Sequence, residues 1–104
     1  TTGSITIATR TTQCNNIAIT KNDYIGLINK NIVTSNGVRI RATCDLIDKM
    51  SLNTKDYAVL IYGKNFTQKE KTFVSEYIQS KYNNLEIYEI DGNQDIYDLY
   101  IILN

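Results

Sequence analysis

A chain of 104 residues has room for one domain with a single hydrophobic core and little beyond it. Eleven basic and eleven acidic residues cancel, which removes any bulk electrostatic case for nucleic acid, and the ordinary apolar and charged fractions exclude an intrinsically disordered chain. With no histidine, and with Cys14 and Cys44 as the only cysteines, Cys-His nucleophilic chemistry and a disulfide scaffold are both out of reach.

The first third reads as short strands. In Ser4-Ile5-Thr6-Ile7-Ala8-Thr9 isoleucines alternate with hydroxyl residues, the period-two pattern of a half-buried strand. Asn15-Asn16 supplies a turn before Ile17-Ala18-Ile19, with Cys14 placed in that turn. Lys21-Asn22-Asp23 then turns into Tyr24-Ile25-Gly26-Leu27-Ile28, and Asn29-Lys30-Asn31 leads to Ile32-Val33-Thr34. Asn-rich turns between β-branched runs predict a short β-meander, and Gly26 inside a strand predicts a bulge or a close backbone approach.

The period then changes. Ile40, Cys44 and Ile47 recur at helical spacing with Thr43, Leu46 and Met50 beside them, while Arg39, Arg41, Asp45, Asp48 and Lys49 face elsewhere; Ser35 or Asn36 is placed to cap the start. After a loop, Tyr57-Ala58-Val59-Leu60-Ile61-Tyr62 is nearly continuous apolar and predicts a central strand covered on both sides, ended by Gly63. Thr67-Gln68-Lys69-Glu70 is a capping box, and the helix it opens is expected to bury Phe73, Val74, Tyr77 and Ile78. Leu85 to Ile90 alternates again, and Tyr97 to Leu103 forms the last strand. Two amphipathic helices are buried most simply on one face of a mixed sheet, so the expected fold is α+β, two layers deep, with residues 1–104 as one domain.

Chemistry is thinly supplied. No Gly-rich phosphate loop occurs, and two cysteines thirty positions apart cannot complete a zinc site. Asp91, Asn93 and Asp95 mimic the first ligands of a calcium loop, but Ile96 and Ile102 stand where that loop needs Gly and Glu. Asp95 and Asp98 read as a solvated strand edge. Every Lys and Arg lies at or before Lys81, so Glu86, Glu89, Asp91, Asp95 and Asp98 give the C-terminal strands an acidic surface. No apolar run is long enough to span a membrane, and the sparse cysteines fit a reducing cytoplasm. Because the chain opens Thr-Thr-Gly, we expect a piece of a longer protein.

The order of residues adds a resemblance. Gly3 to Thr12 is similar to a family segment reading Gly-Glu-Val-Thr-Tyr-Ala-Val-Arg-Asp-Thr, with Gly3, Thr6, Ala8, Arg10 and Thr12 kept. Asp23-Tyr24-Ile25-Gly26-Leu27 resembles Asp-Phe-Ile-Gly-Ile, with Ile32-Val33 at the family's distance, and Lys49-Met50 ends a helix as Glu-Lys-Met does. Tyr62-Gly63 stands at Tyr-Tyr-Gly-Glu-Asp, and Asp91-Gly92-Asn93-Gln94 with Tyr97 at a terminus reading Asp-Gly-Gly-Gln-Pro-Leu-Tyr-Pro-Tyr. Lys64-Asn65 replaces Glu-Asp, Asn93 replaces Gly, and Asp95 and Asp98 replace both prolines. The family is the large subunit of bacterial fatty-acid kinase, a dihydroxyacetone-kinase-like and Dak-phosphatase-like group, and the resemblance is to its C-terminal domain.

The resemblance implies a fold like a DegV-type lobe and no catalytic, cofactor or metal residue in this domain. ATP and magnesium would bind a separate N-terminal kinase domain, which makes acyl-phosphate from a fatty acid carried by a DegV-type partner. The C-terminal domain would dock that carrier and meet other domains of the parent chain, through a surface including Arg10, Tyr62, Gly63, Asp91, Gly92, Gln94 and Tyr97. Two other readings stand beside it. One is a small-molecule-binding or enzymatic domain acting on a phosphorylated metabolite, which needs Arg10, Asp91 and Gln94 to converge in a pocket. The other is a purely structural or dimerisation domain.

Overall fold

A computed structural model describes residues 1–50 and 55–104. In chain order the elements are β1 (Thr2–Ile7), β2 (Thr12–Cys14), β3 (Ile17–Ile19), β4 (Tyr24–Ile28), β5 (Asn31–Asn36), α1 (Arg39–Lys49), β6 (Tyr57–Tyr62), α2 (Gln68–Lys81), β7 (Glu86–Asp91) and β8 (Leu99–Leu103). Six strands form one mixed sheet in the order β5-β4-β1-β8-β6-β7. Every neighbouring pair is antiparallel except β6 and β7, which are parallel and joined through α2. The fold is the expected α+β one. The loop expected between the first helix and β6 falls largely on residues 51–54, outside the described residues.

The turns explain the asparagines. Asn15, Asn16, Asn22, Asn29, Lys30 and Asn93 all have positive φ, the left-handed region that Asn tolerates better than most residues. Asn15 and Asn16, at φ 52° and 64°, join β2 to β3, and Asn29 and Lys30, at 50° and 75°, join β4 to β5. Positive φ at both central residues matches the twist of a two-residue hairpin. Cys14 therefore ends β2, paired with Ile17, and does not sit in the turn itself.

The sheet has one packed face. Ile5, Leu60, Leu99 and Ile101 point from it into a core shared with Leu46 and Ile47 of α1 and Val74 and Ile78 of α2. At Gly26 the register between β4 and β5 shifts, as the lone strand glycine predicted. A Cβ there would lie 2.6 Å from Thr34 Cγ2 and 3.3 Å from Leu46 Cβ, so the missing side chain lets α1 approach the sheet.

Several local expectations are corrected. β6 is not covered on both sides: Ala58, Leu60 and Tyr62 are buried while Tyr57, Val59 and Ile61 are only half-buried, because helices lie on one face alone. Neither Ser35 nor Asn36 is the N-cap of α1; Val38 occupies that position, and Asn36 instead accepts from the Val38 amide in a preceding Asx turn. Cys44 is half-buried and not part of the inner stripe. In α2, Val74 and Ile78 are buried, but Phe73 remains 48 % exposed and Tyr77 half-buried, since α1 crosses only part of that helix's apolar stripe. The last strand starts at Leu99 and not Tyr97. The expected capping box is present: Thr67 Oγ1 accepts from the Glu70 amide and Glu70 accepts from the Thr67 amide.

Candidate functional site

The parallel pair β6–β7 defines the end of the sheet where open α/β folds usually hold ligands, outside the carboxyl ends of the strands. Here main chain fills that space. From Asp91 the chain folds back over the end of β6, and the amides of Gly92 and Asn93 both donate to the Tyr62 carbonyl, at 2.9 and 3.2 Å. Gln94 Nε2 donates to the Ile61 carbonyl at 3.2 Å. In return Gly63 N donates to the Asp98 carbonyl at 2.8 Å and Lys64 N to the Gln94 carbonyl at 3.3 Å. Gly63 is buried beneath this loop, and a Cβ on it would run into the Tyr97 carbonyl oxygen.

Six of the seven residues expected to share a surface thus meet at one end of the sheet. They do so in different ways. Tyr62 is 1 % exposed and its hydroxyl donates to Glu89 at 2.9 Å, so it is a core residue with its polar end tied down. Burial, followed by the carboxylate partner, pushes its phenol well above the ordinary value. Asp91 reaches Lys71 Nζ at 2.6 Å on the helix side, and Asp95 pairs with Lys64 at 2.7 Å. Tyr97 is half-buried, edge-on to Tyr100 with ring centres 5.7 Å apart.

Arg10 is elsewhere. It lines a cleft of about 310 Å³ between the β2–β3 hairpin and the sheet, over Ala8, Ile19, Ile25 and Ile32. Neither Asp91 nor Gln94 lines that cleft, so the convergence of Arg10, Asp91 and Gln94 that an enzyme site would need does not form.

A second cluster is invisible in the sequence pattern. Helical periodicity puts Arg39 on the solvent side of α1, yet its side chain is 13 % exposed. It makes a two-pronged bond to Glu70, with Nε to Oε2 at 2.8 Å, and donates to the Asn65 carbonyl at 2.8 Å. Its guanidinium carbon lies 5.5 Å from the Tyr24 ring centre and 5.1 Å from that of Phe66. Asp98 lies behind it, 4 % exposed; its Oδ2 is 3.5 Å from Arg39 Nη1 and has no hydrogen-bond partner among the described residues. Asp98 is therefore a buried carboxylate and not part of a solvated edge.

Burial raises the Asp98 pKa above the ordinary range despite the nearby Arg39 charge. For Glu70, burial also pushes upward, but bonds from Arg39 and Thr67 outweigh it and hold the carboxylate below its usual range. The bond to Glu70 is the largest influence raising Arg39. The sequence carries only a weak hint of it: Arg39 stands in the first turn of a helix with no acidic residue in that turn, where a cation opposes the helix dipole.

Compared with known protein families, residues 1–104 match the FakA-like C-terminal family, the C-terminal part of a fatty acid kinase subunit. The chain belongs to this family. Curated relatives include proteins of Staphylococcus epidermidis (30 % identical over 98 residues) and Staphylococcus haemolyticus (30 % over 95 residues). A Staphylococcus aureus relative is 26 % identical over 98 residues. All three are named only as uncharacterized proteins. These alignments cover 94, 91 and 94 % of the chain but 18, 17 and 18 % of the relatives, so the chain spans under a fifth of their length.

For a FakA-like C-terminal chain, the strand-turn-helix unit β6–α2 is the place to test for nucleotide. A phosphate loop leaves helix N-terminal amides free for anions. Here the Thr67 side chain takes the Glu70 amide, and the Glu70 carboxylate stands at the same helix start. Gly63 is the only glycine in that turn, and its amide is spent on Asp98. These residues do not fit a nucleotide phosphate. Among the described residues, no helix is long and apolar enough to cross a membrane.

Proposed function

We propose that this chain is the non-catalytic C-terminal domain of a bacterial, cytoplasmic, ATP-dependent fatty-acid kinase. It docks the DegV-type protein that carries the fatty acid, so that a separate N-terminal kinase domain, with ATP and magnesium, can make the acyl-phosphate. The observation that carries this reading is the family match over residues 1–104. The filled carboxyl end of β6 and the acid-capped start of α2 support it, because both are poor places for a phosphoryl donor. A docking domain needs a rigid surface and no reacting group, and the hydrogen-bonded 91–98 loop supplies rigidity at one end of the sheet.

Calorimetric titration of the folded chain against the cognate carrier tests the reading. Saturable one-to-one binding is expected, together with loss of carrier affinity but not of ATP binding when the domain is deleted from the full-length kinase. Absence of binding by a chain with native circular dichroism would sink it.

A further inference from the structure

The β2–β3 hairpin stands off the sheet and leaves the cleft of about 310 Å³ that Arg10 borders. Its floor is apolar, made by Ala8 just past β1, Ile19 of β3, Ile25 of β4 and Ile32 of β5. The volume lies at the small end of the range for ligand sites. Thr12, Gln13 and Cys14, the whole of β2, also line it. Side chains of a strand alternate between faces, so three consecutive residues cannot all reach one cleft through their side chains. The register pairs Thr12 with Ile19 and Cys14 with Ile17, which sets those four on the sheet side of the hairpin. It pairs Gln13 with the exposed Ala18 on the outer side. Gln13 therefore borders the cleft with its main chain, along the edge of β2.

That edge is free. Among the described residues β2 pairs with β3 alone. Cys14 and Ile17 close the two-residue Asn15-Asn16 turn, so they form a hydrogen-bonded pair, and the alternation of an antiparallel ladder leaves Gln13 and Ala18 as the non-bonded one. The Gln13 N–H and C=O then point away from β3, along the cleft. An unpaired strand edge is a template for a further strand. Peptide-binding domains draw affinity from such an edge and side-chain choice from the pockets beside it.

Charge says which peptide. Arg10 is the one charged residue on the cleft wall, exposed and with no ion pair among the described residues. Across residues 1–34 Lys21 and Lys30 add to it, while the single acid, Asp23, turns its carboxylate toward Gly37, before α1. Lys64, Lys71 and Lys81, by contrast, each hold a carboxylate of this chain. A guanidinium over an apolar floor fits a carboxylate presented beside an aliphatic side chain. We infer that the cleft takes an extended acidic peptide of a partner protein, added as a strand to β2, with an aliphatic side chain in the cleft and a carboxylate on Arg10. The peptide residue opposite Gln13 faces outward with it, so the residues on either side face the sheet, and the carboxylate and the aliphatic group stand two positions apart. The inference goes beyond the carrier-docking reading and does not depend on it.

The test pans a random heptapeptide phage library on the folded chain, with Arg10→Glu as counter-selection, and titrates the synthetic form of the enriched sequence. Enriched sequences are expected to carry Asp or Glu two positions from Val, Ile or Leu. Arg10→Glu, and Gln13→Pro, which deletes the edge N–H, are each expected to weaken binding by roughly tenfold or more, and Lys69→Glu on the helix side by less than about twofold. Binding is expected to slow hydrogen exchange at the Gln13 amide, which a contact through side chains alone would not do. Native circular dichroism in each variant separates lost contact from lost folding, and the exposed Arg10 keeps the test decisive if Gln13→Pro unfolds. No enrichment over the counter-selection, or enriched peptides that bind Arg10→Glu as well as wild type, overturns the inference. Octanoate that saturates the wild type without slowing Gln13 exchange, where no peptide is enriched, overturns it in favour of a small carboxylate. The carrier enters none of these readouts, so the docking reading stands or falls separately.

Discussion

Arg39 Nη1 stands 3.5 Å from a buried Asp98 oxygen that has no hydrogen bond among the described residues, while the rest of the same guanidinium is committed to Glu70 and Asn65. One cation thus serves two carboxylates from different parts of the chain, tying the start of α1 to the start of α2 and to the residue before β8. The bond to Glu70 is close and two-pronged. The one to Asp98 is long, so Asp98 is neutralised poorly.

Replacing Arg39 by Met keeps the length of the stem but leaves Asp98 and Glu70 with no cation. Removing one member of a buried ion cluster costs about 3–5 kcal/mol. Urea denaturation is expected to show a loss of that order, and Arg39→Lys is expected to restore only part of it because an ammonium cannot form the two-pronged bond.

Asp98 makes the pH dependence informative. Its folded pKa lies above the ordinary Asp value of about 3.9. Between those two values the folded state holds more protons than the unfolded one, so this residue lowers stability as pH rises through the window. Glu70 acts oppositely: its folded pKa is depressed, so its contribution is present above the unfolded value and is lost as pH falls through the folded one. Asp98→Asn removes the first effect alone. Denaturation midpoints measured from acid to neutral pH are expected to move in favour of the variant as pH rises, and a difference independent of pH would refute the account.

Gly63 and Gly37 separate close approach from ordinary space. Alanine at 63 drives a methyl group into the Tyr97 carbonyl and to 3.1 Å from Asp98 Cα, so the loop must move. Overpacking of this kind costs about 1–3 kcal/mol. Faster hydrogen exchange is expected at the Gly63 and Lys64 amides, which donate to that loop. Alanine at 37 meets only Asp23 Oδ1 at 3.6 Å and should leave stability unchanged or raise it by about 0.4–1 kcal/mol.

Lys30 sits at φ 75° between β4 and β5, where a Cβ is disfavoured. Lys30→Gly removes a left-handed penalty of about 1 kcal/mol, against which the extra freedom of glycine in the unfolded chain counts. A small rise in melting temperature is expected, and a fall would show that the Lys30 side chain makes a contact worth more than the strain.

The elements with local causes are legible in the sequence. The Asn-Asn and Asn-Lys turns and the Thr67–Glu70 capping box depend on residues within a few positions of one another, and each forms as expected; the lone strand glycine Gly26 also marks its bulge, although the neighbours it makes room for, Thr34 and Leu46, come from other elements. The failures involve partners far apart in sequence. Arg39 and Asp98 resemble surface charges in the sequence because their environment is made by elements that meet only in the fold. β6 resembles a doubly covered strand because its composition reports apolar side chains and not which of its two faces receives helices.

By itself, then, the sequence determined the succession of strands and helices, the α+β class and the family motifs, since periodicity and turn chemistry act over short stretches. Only the tertiary structure decided that the 91–98 loop plugs the end of β6. It alone left the face of Tyr57, Tyr88 and Ile90 open and set Arg39 inside, because strand order and the side taken by the helices are properties of the assembled sheet.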